Sequence, residues 1–121
     1  MSNPIDKVPK TVNVLGVEYK IKFSTKDTDP KMKGADGYFE SITKEIYINK
    51  DIFSNKDPLS FKKLDTQYWK RVLRHELTHA FIFESGLDCF CDWALTEELV
   101  DWIALQFPKM AKCFKNVDIL I

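Results

Sequence analysis

The sequence predicts a small α+β domain, a short antiparallel sheet of two hairpins packed on two helices. Three observations carry that expectation. Apolar and charged residues alternate over 17–23, the pattern of a half-buried strand. Apolar residues recur at helical spacing over 69–81. A second helical stretch follows and meets a proline at 108. A chain of 121 residues supports one core and not two.

Residues 1–10 hold two prolines and few apolar side chains, so a flexible N-terminal arm is expected, with a single domain over 11–121. Val12 and Val14 lead into a turn at Leu15-Gly16. Val17, Tyr19, Ile21 and Phe23 then face one way, and Glu18, Lys20 and Lys22 the other. Residues 25–37 are charged and read as a surface loop, in which Asp27 and Asp29 are solvated residues before metal ligands. Tyr38-Phe39-Glu40 and Lys44–Asn49 form the second hairpin, turning near Ser41-Ile42-Thr43. Residues 50–65 are connective, with a turn at Asp57-Pro58 and a helical turn near Leu59-Ser60-Phe61.

The first helix is expected to start after an N-cap at Asp65 or Thr66 and to end at Gly86, which takes a positive φ without strain. Trp69, Leu73, Leu77, Ala80 and Phe81 form its core-facing stripe. The neighbouring face, with Val72 and Phe83, is apolar apart from Glu76 and His79. The second helix is expected over Asp92–Phe107, ending before Pro108, with one more short helix in 109–121 and an apolar end against the sheet.

The formal net charge is zero, with 18 basic and 18 acidic residues. It gives no electrostatic argument for a nucleic acid or a membrane as partner. No apolar run approaches the roughly 20 residues that span a bilayer. The N-terminus lacks a signal-peptide segment, so a cytoplasmic protein is expected. Three cysteines, Cys89, Cys91 and Cys113, suit free thiols in a reducing compartment.

The chemistry concentrates in the first helix. His75-Glu76-Leu77-Thr78-His79 is a His-Glu-x-x-His pattern. Residues four apart share a helical face, so both imidazoles converge on one metal ion, while Glu76 reaches a water beside it without being a ligand. A chance match is expected on the order of once in several hundred chains of this length. Both histidines of the chain fall inside it, which argues against chance. Two histidines and a glutamate in a helix apolar over most of its circumference are also costly unless something satisfies them.

Catalytic zinc keeps three protein ligands and an open position. With no third histidine, the remaining ligand is a carboxylate or a thiolate. Glu97 and Asp101 are four apart, so Glu97 can bind the metal while Asp101 accepts the second ring N–H of a histidine. Glu98 is the competing carboxylate, and Cys89 or Cys91 the rival thiolate. Tyr38, Tyr47 and Tyr68 are candidate oxyanion donors, and the strand Glu45–Asn49 is a candidate for pairing with an extended substrate.

His75-Glu76-Leu77-Thr78-His79-Ala80 followed by Glu97-Glu98-Leu99-Val100-Asp101-Trp102-Ile103-Ala104 resembles the small zinc metallopeptidases of the ImmA/IrrE type. The Glu-x-x-x-Asp spacing is also similar to that of thermolysin-type gluzincins. A chain that begins with strands and has no room for a second domain points to the stand-alone, phage-encoded members. The resemblance implies a minimal zincin-like domain with zinc ligands His75, His79 and Glu97, general base Glu76, a Zn2+ cofactor and a peptide or protein substrate. A zinc-containing, non-catalytic partner-binding or inhibitory protein is the alternative, and a fourth ligand from Cys89 or Cys91 is its mark.

Overall fold

The computed structural model describes residues 4–53 and 67–121. Strands β1 (Thr11–Val14), β2 (Val17–Ser24), β3 (Gly37–Glu40) and β4 (Glu45–Asn49) form one sheet in the order β1-β2-β4-β3. Helices α1 (Tyr68–Ser85) and α2 (Glu97–Asn116) follow. The domain is α+β, as the sequence predicts.

β1 and β2 close over Leu15 and Gly16, both at positive φ, 50° and 91°. A two-residue hairpin turn of the primed kind needs that pair of angles. β3 and β4 form the second antiparallel hairpin. The sheet is nevertheless mixed, because β2 and β4 pair in parallel, from Lys20 beside Glu45 to Ser24 beside Asn49. Alternation sets which side chains face the core but not which strand lies next to which. Here the connection after β2 is long enough to carry the chain back before it re-enters the sheet, as parallel pairing requires. Asp29 organises that connection. It caps the 3-10 turn Pro30–Met32 through Lys31 N and accepts bonds from the Ser24 and Tyr38 hydroxyls. It is a structural residue.

Tyr19, Ile21, Ile46 and Ile48 turn one sheet face onto Val72 and Ala80 of α1, with Trp69, Leu73 and Leu77 partly buried around them. The expected core stripe holds except at Phe81, which is 46% exposed; its place is taken by Val72 and Ile82. The segment before β1, expected as a loose arm, carries a 3-10 turn at Pro4–Lys7 and the buried Val8, and Lys10 O accepts a bond from Ile21 N. α1 ends as expected at Gly86, at φ 76°, whose N–H meets the carbonyls of Ile82 and Phe83. Expectations for the Asp57-Pro58 turn and the turn near Leu59 lie outside the described residues, and the N-cap expected at Asp65 or Thr66 is instead Gln67, whose side chain makes no capping bond.

The second helix differs from the expected Asp92–Phe107. Asp92–Leu95 is a 3-10 turn, Thr96 is extended, and α2 runs from Glu97 through Pro108 to Asn116. Pro108 deprives Ala104 O of its helical donor. Arg74 Nε of α1 supplies another, at 2.7 Å, and the helix continues past Pro108. α2 packs chiefly on α1 and on the preceding 3-10 turn. Its distal part leaves Phe107, Met110 and Phe114 substantially exposed, and so is the apolar end Ile119-Leu120-Ile121 expected against the sheet. No helix among the described residues is long and apolar enough to cross a membrane.

Glu84, near the end of α1, ties the helix to both hairpins. Its carboxylate accepts bonds from Lys44 Nζ at 2.8 Å and from the hydroxyl of the fully buried Tyr19. The Lys44 bond, then the Tyr19 bond, hold its carboxyl below the ordinary value. A depressed folded-state pKa gives stability that is present above the unfolded value near 4.5 and lost as pH falls through the folded one. Urea-unfolding midpoints of the unaltered chain and of Glu84→Gln should therefore differ at pH 7 and converge on acidification below pH 4.5. A gap constant down to strongly acidic pH contradicts this account.

Candidate metal centre

α1 delivers His75 and His79 to one face, their ring centroids 5.0 Å apart. The Nε2 atoms of both turn to a single carboxylate: His75 Nε2 lies 2.8 Å from Glu97 Oε2, and His79 Nε2 lies 2.9 Å from Glu97 Oε1. Glu97 stands in the first turn of α2, so the site closes across the two helices. His75, Glu76 and His79 each present a ligand atom within 4.8 Å of the others, a cluster able to hold a metal ion.

Glu76 is 6% exposed. Burial, more than any neighbouring charge, pushes its carboxyl up to about 7. Glu97 and Asp36 add to the rise, and His75 opposes it. Burial likewise lowers the pKa of His79 and favours the neutral ring that metal binding needs. The His79 ring lies against Phe39 of β3, nearly parallel, at 6.3 Å between centroids. Asp101 Oδ1 is 3.5 Å from His75 Nδ1, and Arg71 Nη2 lies 2.6 Å from Asp101 Oδ2. Burial acts to raise the Asp101 carboxyl, but the Arg71 bond and charge, with His75 behind them, hold it below the usual range.

These groups line a cleft of about 510 Å³ between β3, α1 and the start of α2. Its wall at the sheet is Ala35 to Phe39. Asn49 at the end of β4 fixes that wall, its N–H bonding Asp36 O at 2.9 Å and its Nδ2 bonding Ala35 O at 3.0 Å. Gly37 allows α1 to approach. A Cβ there would lie 2.8 Å from Tyr47 O, 3.2 Å from Val72 Cγ1 and 3.4 Å from Glu76 Cγ.

Of the residues expected from sequence, His75, Glu76, His79, Glu97 and Asp101 come together in the cleft. Glu98 does not line it and is exposed. Cys89 and Cys113 are exposed, Cys91 Sγ bonds Leu87 O at 3.3 Å, and none lines the cleft. Tyr38 and Tyr68 line it, with hydroxyls donated to Asp29 and Asp36 respectively, whereas Tyr47 stacks on Tyr38 and does not line it. Burial first, and then the Asp36 bond, raise the Tyr68 hydroxyl, which stays protonated. The strand expected to pair with a substrate, Glu45–Asn49, is interior, between β2 and β3, so its backbone groups are taken. β3 is the edge strand at the cleft.

Sequence reasoning missed Asp36, Gly37, Arg71 and Asn49. Gly37 carried a usable signal, a lone glycine at the head of a strand, which marks close backbone approach. Arg71 carried another, one helical turn before His75 on the same face. No family model, curated protein or solved structure matches the chain.

Because the nearest atom to a Cβ at Gly37 is a backbone carbonyl, Gly37→Ala forces the strand or the helix to move. We expect it to destabilise the fold by about 1–3 kcal/mol. A urea-unfolding midpoint equal to that of the unaltered chain would contradict so tight a contact.

Proposed function

We propose that the cleft hydrolyses peptide bonds, with a zinc ion held by His75, His79 and Glu97 and with Glu76 as the proton-transfer group. The observation that carries this reading is the convergence of both histidine Nε2 atoms on one carboxylate beside a buried glutamate. The donor set fits the ion: two imidazole nitrogens and one carboxylate are a ligand set of catalytic zinc, which leaves a position open. Zinc so held supplies Lewis acidity towards water and a carbonyl oxygen.

The chain's own residues do the rest. Asp101, braced by Arg71, faces His75 Nδ1 and favours the tautomer that leaves Nε2 free for a metal. Phe39 limits the tilt of the His79 ring. Glu76, whose carboxyl burial raises, takes a proton from the attacking water and returns it to the leaving amine. An extended peptide adds to the free edge of β3, its scissile bond beside the histidines.

This is the activity that the resemblance to small ImmA/IrrE-type metallopeptidases implies, and the support for it is the motif and the cleft. The alternative, a metal-containing but non-catalytic partner-binding protein, has less behind it. A closed structural site needs a fourth protein ligand, and Cys89 and Cys91 stay out of the cleft. Glu76 would also have no task there.

Two measurements test the reading. Metal analysis of the purified protein should find zinc in the unaltered chain and in Glu98→Ala, and little in Glu97→Ala. Loss of zinc in the Glu98 variant alone overturns the ligand assignment. Glu76→Gln should retain zinc yet cut the cleavage rate of a quenched fluorescent peptide library by about 100-fold or more. Normal cleavage by that variant rules out the proton-transfer role.

A further inference from the structure

We infer that Arg74 is a positioning residue for this centre: it takes the carbonyl that Pro108 frees and so fixes the register of α2, and with it Glu97, against the two histidines. The inference rests on the proposed metal centre and concerns how its third ligand is held.

Proline has no N–H, so Ala104 O, four residues before Pro108, loses its α-helical donor. Ala104 is fully buried, where an unpaired acceptor is expensive. Arg74 Nε donates to that oxygen at 2.7 Å. One turn earlier on α1, Arg71 Nη2 holds Asp101 Oδ2 at 2.6 Å. α1 thus sends two guanidinium groups onto α2, to positions three residues apart.

These bonds matter because the apolar contact beside them is small. The cluster at this end of the molecule consists of Ile82, Ala94 and Val100, with Leu87 and Cys91 against it. So few apolar contacts leave room for sliding, and a slip of one residue moves a helix about 1.5 Å and turns it about 100°. Either displacement takes Glu97 away from both Nε2 atoms. Glu97 itself is an exposed first-turn residue, its side chain 71% accessible, so nothing packed around it holds it in place. A surface ion pair would fix it poorly. A backbone carbonyl is a different anchor, since it cannot change rotamer. The proline that seemed to end the helix is what makes this anchor available.

Zinc affinity, read by competition with a chromophoric chelator, and urea-unfolding midpoints test the inference together. Arg74→Met should lower zinc affinity at least about tenfold, as loss of outer support for metal ligands does, and should lower the midpoint. In Arg74→Met combined with Pro108→Ala, the new N–H at 108 serves Ala104 O, so the midpoint should recover while zinc affinity stays low. That double variant also carries the test if Arg74→Met alone does not fold. Unchanged affinity in Arg74→Met overturns the inference, as does affinity that returns with the midpoint. A midpoint that stays low in the double variant overturns the pairing of Arg74 with the freed carbonyl. Failure of the unaltered chain to bind zinc is a separate result, which removes the metal centre itself.

Discussion

A carboxylate on the core side of a helix is the constraint that the rest of this structure accommodates. Glu76 is 6% exposed, between the sheet and the cleft, and burial raises its carboxyl towards neutrality. Burying an ionisable group is costly unless a partner or a function compensates. No hydrogen bond from another described residue reaches it. The side chain therefore depends on an accurate fit: Gly37 gives up its Cβ so that β3 can lie against Val72 and Glu76, and Asn49 holds the backbone before Gly37 in place. The histidines follow from the same helix. Once Glu76 faces the sheet, His75 and His79 point into the opening beside it.

The two halves of the site are held by different means. The histidines stand on a helix that packs against the sheet, through Val72, Ala80 and the partly buried Trp69, Leu73 and Leu77. Their placement is a by-product of hydrophobic burial, the largest favourable contribution to the fold. The carboxylate that meets them stands on a helix with little apolar contact of its own, held by directional bonds to Arg71 and Arg74. Burial sets layers and spacing. It is less able to set register where few apolar side chains meet, and there polar bonds add the direction that burial lacks.

This division explains what was legible in the sequence. Period-two alternation marked Tyr19 and Ile21, the helical stripe marked Leu73 and Leu77, and the motif marked His75, Glu76 and His79, because each is a local pattern. Gly86 could be read as a helix stop because its positive φ is a property of one residue. The parallel pairing of β2 with β4 could not, since neighbouring strands are chosen by the path of the connection. Pro108 was misleading for a related reason. Proline ends helices through the carbonyl it leaves unpaired, and whether a donor waits nearby depends on a side chain 34 positions earlier in the chain. The place of β3 at the sheet edge, and so at the cleft, is likewise a fact of topology.

The electrostatics of the cleft make its closure conditional. Glu97 and Asp36 both raise the Glu76 carboxyl, which means that like charges are gathered around a buried group. Bringing Glu97 up to the histidines therefore works against Glu76 unless positive charge enters between them. Burial opposes protonation of His79, so that ring is a poor source of it. A cation held at the His75 and His79 cluster, which is able to hold one, would supply it without protonation of either ring. On the proposed reading, cation binding and the seating of α2 on α1 would be thermodynamically linked, each favouring the other. In the role inferred for Arg74, the arginines would make that linkage effective, because a helix already in register would present Glu97 to the cation at little further cost in ordering.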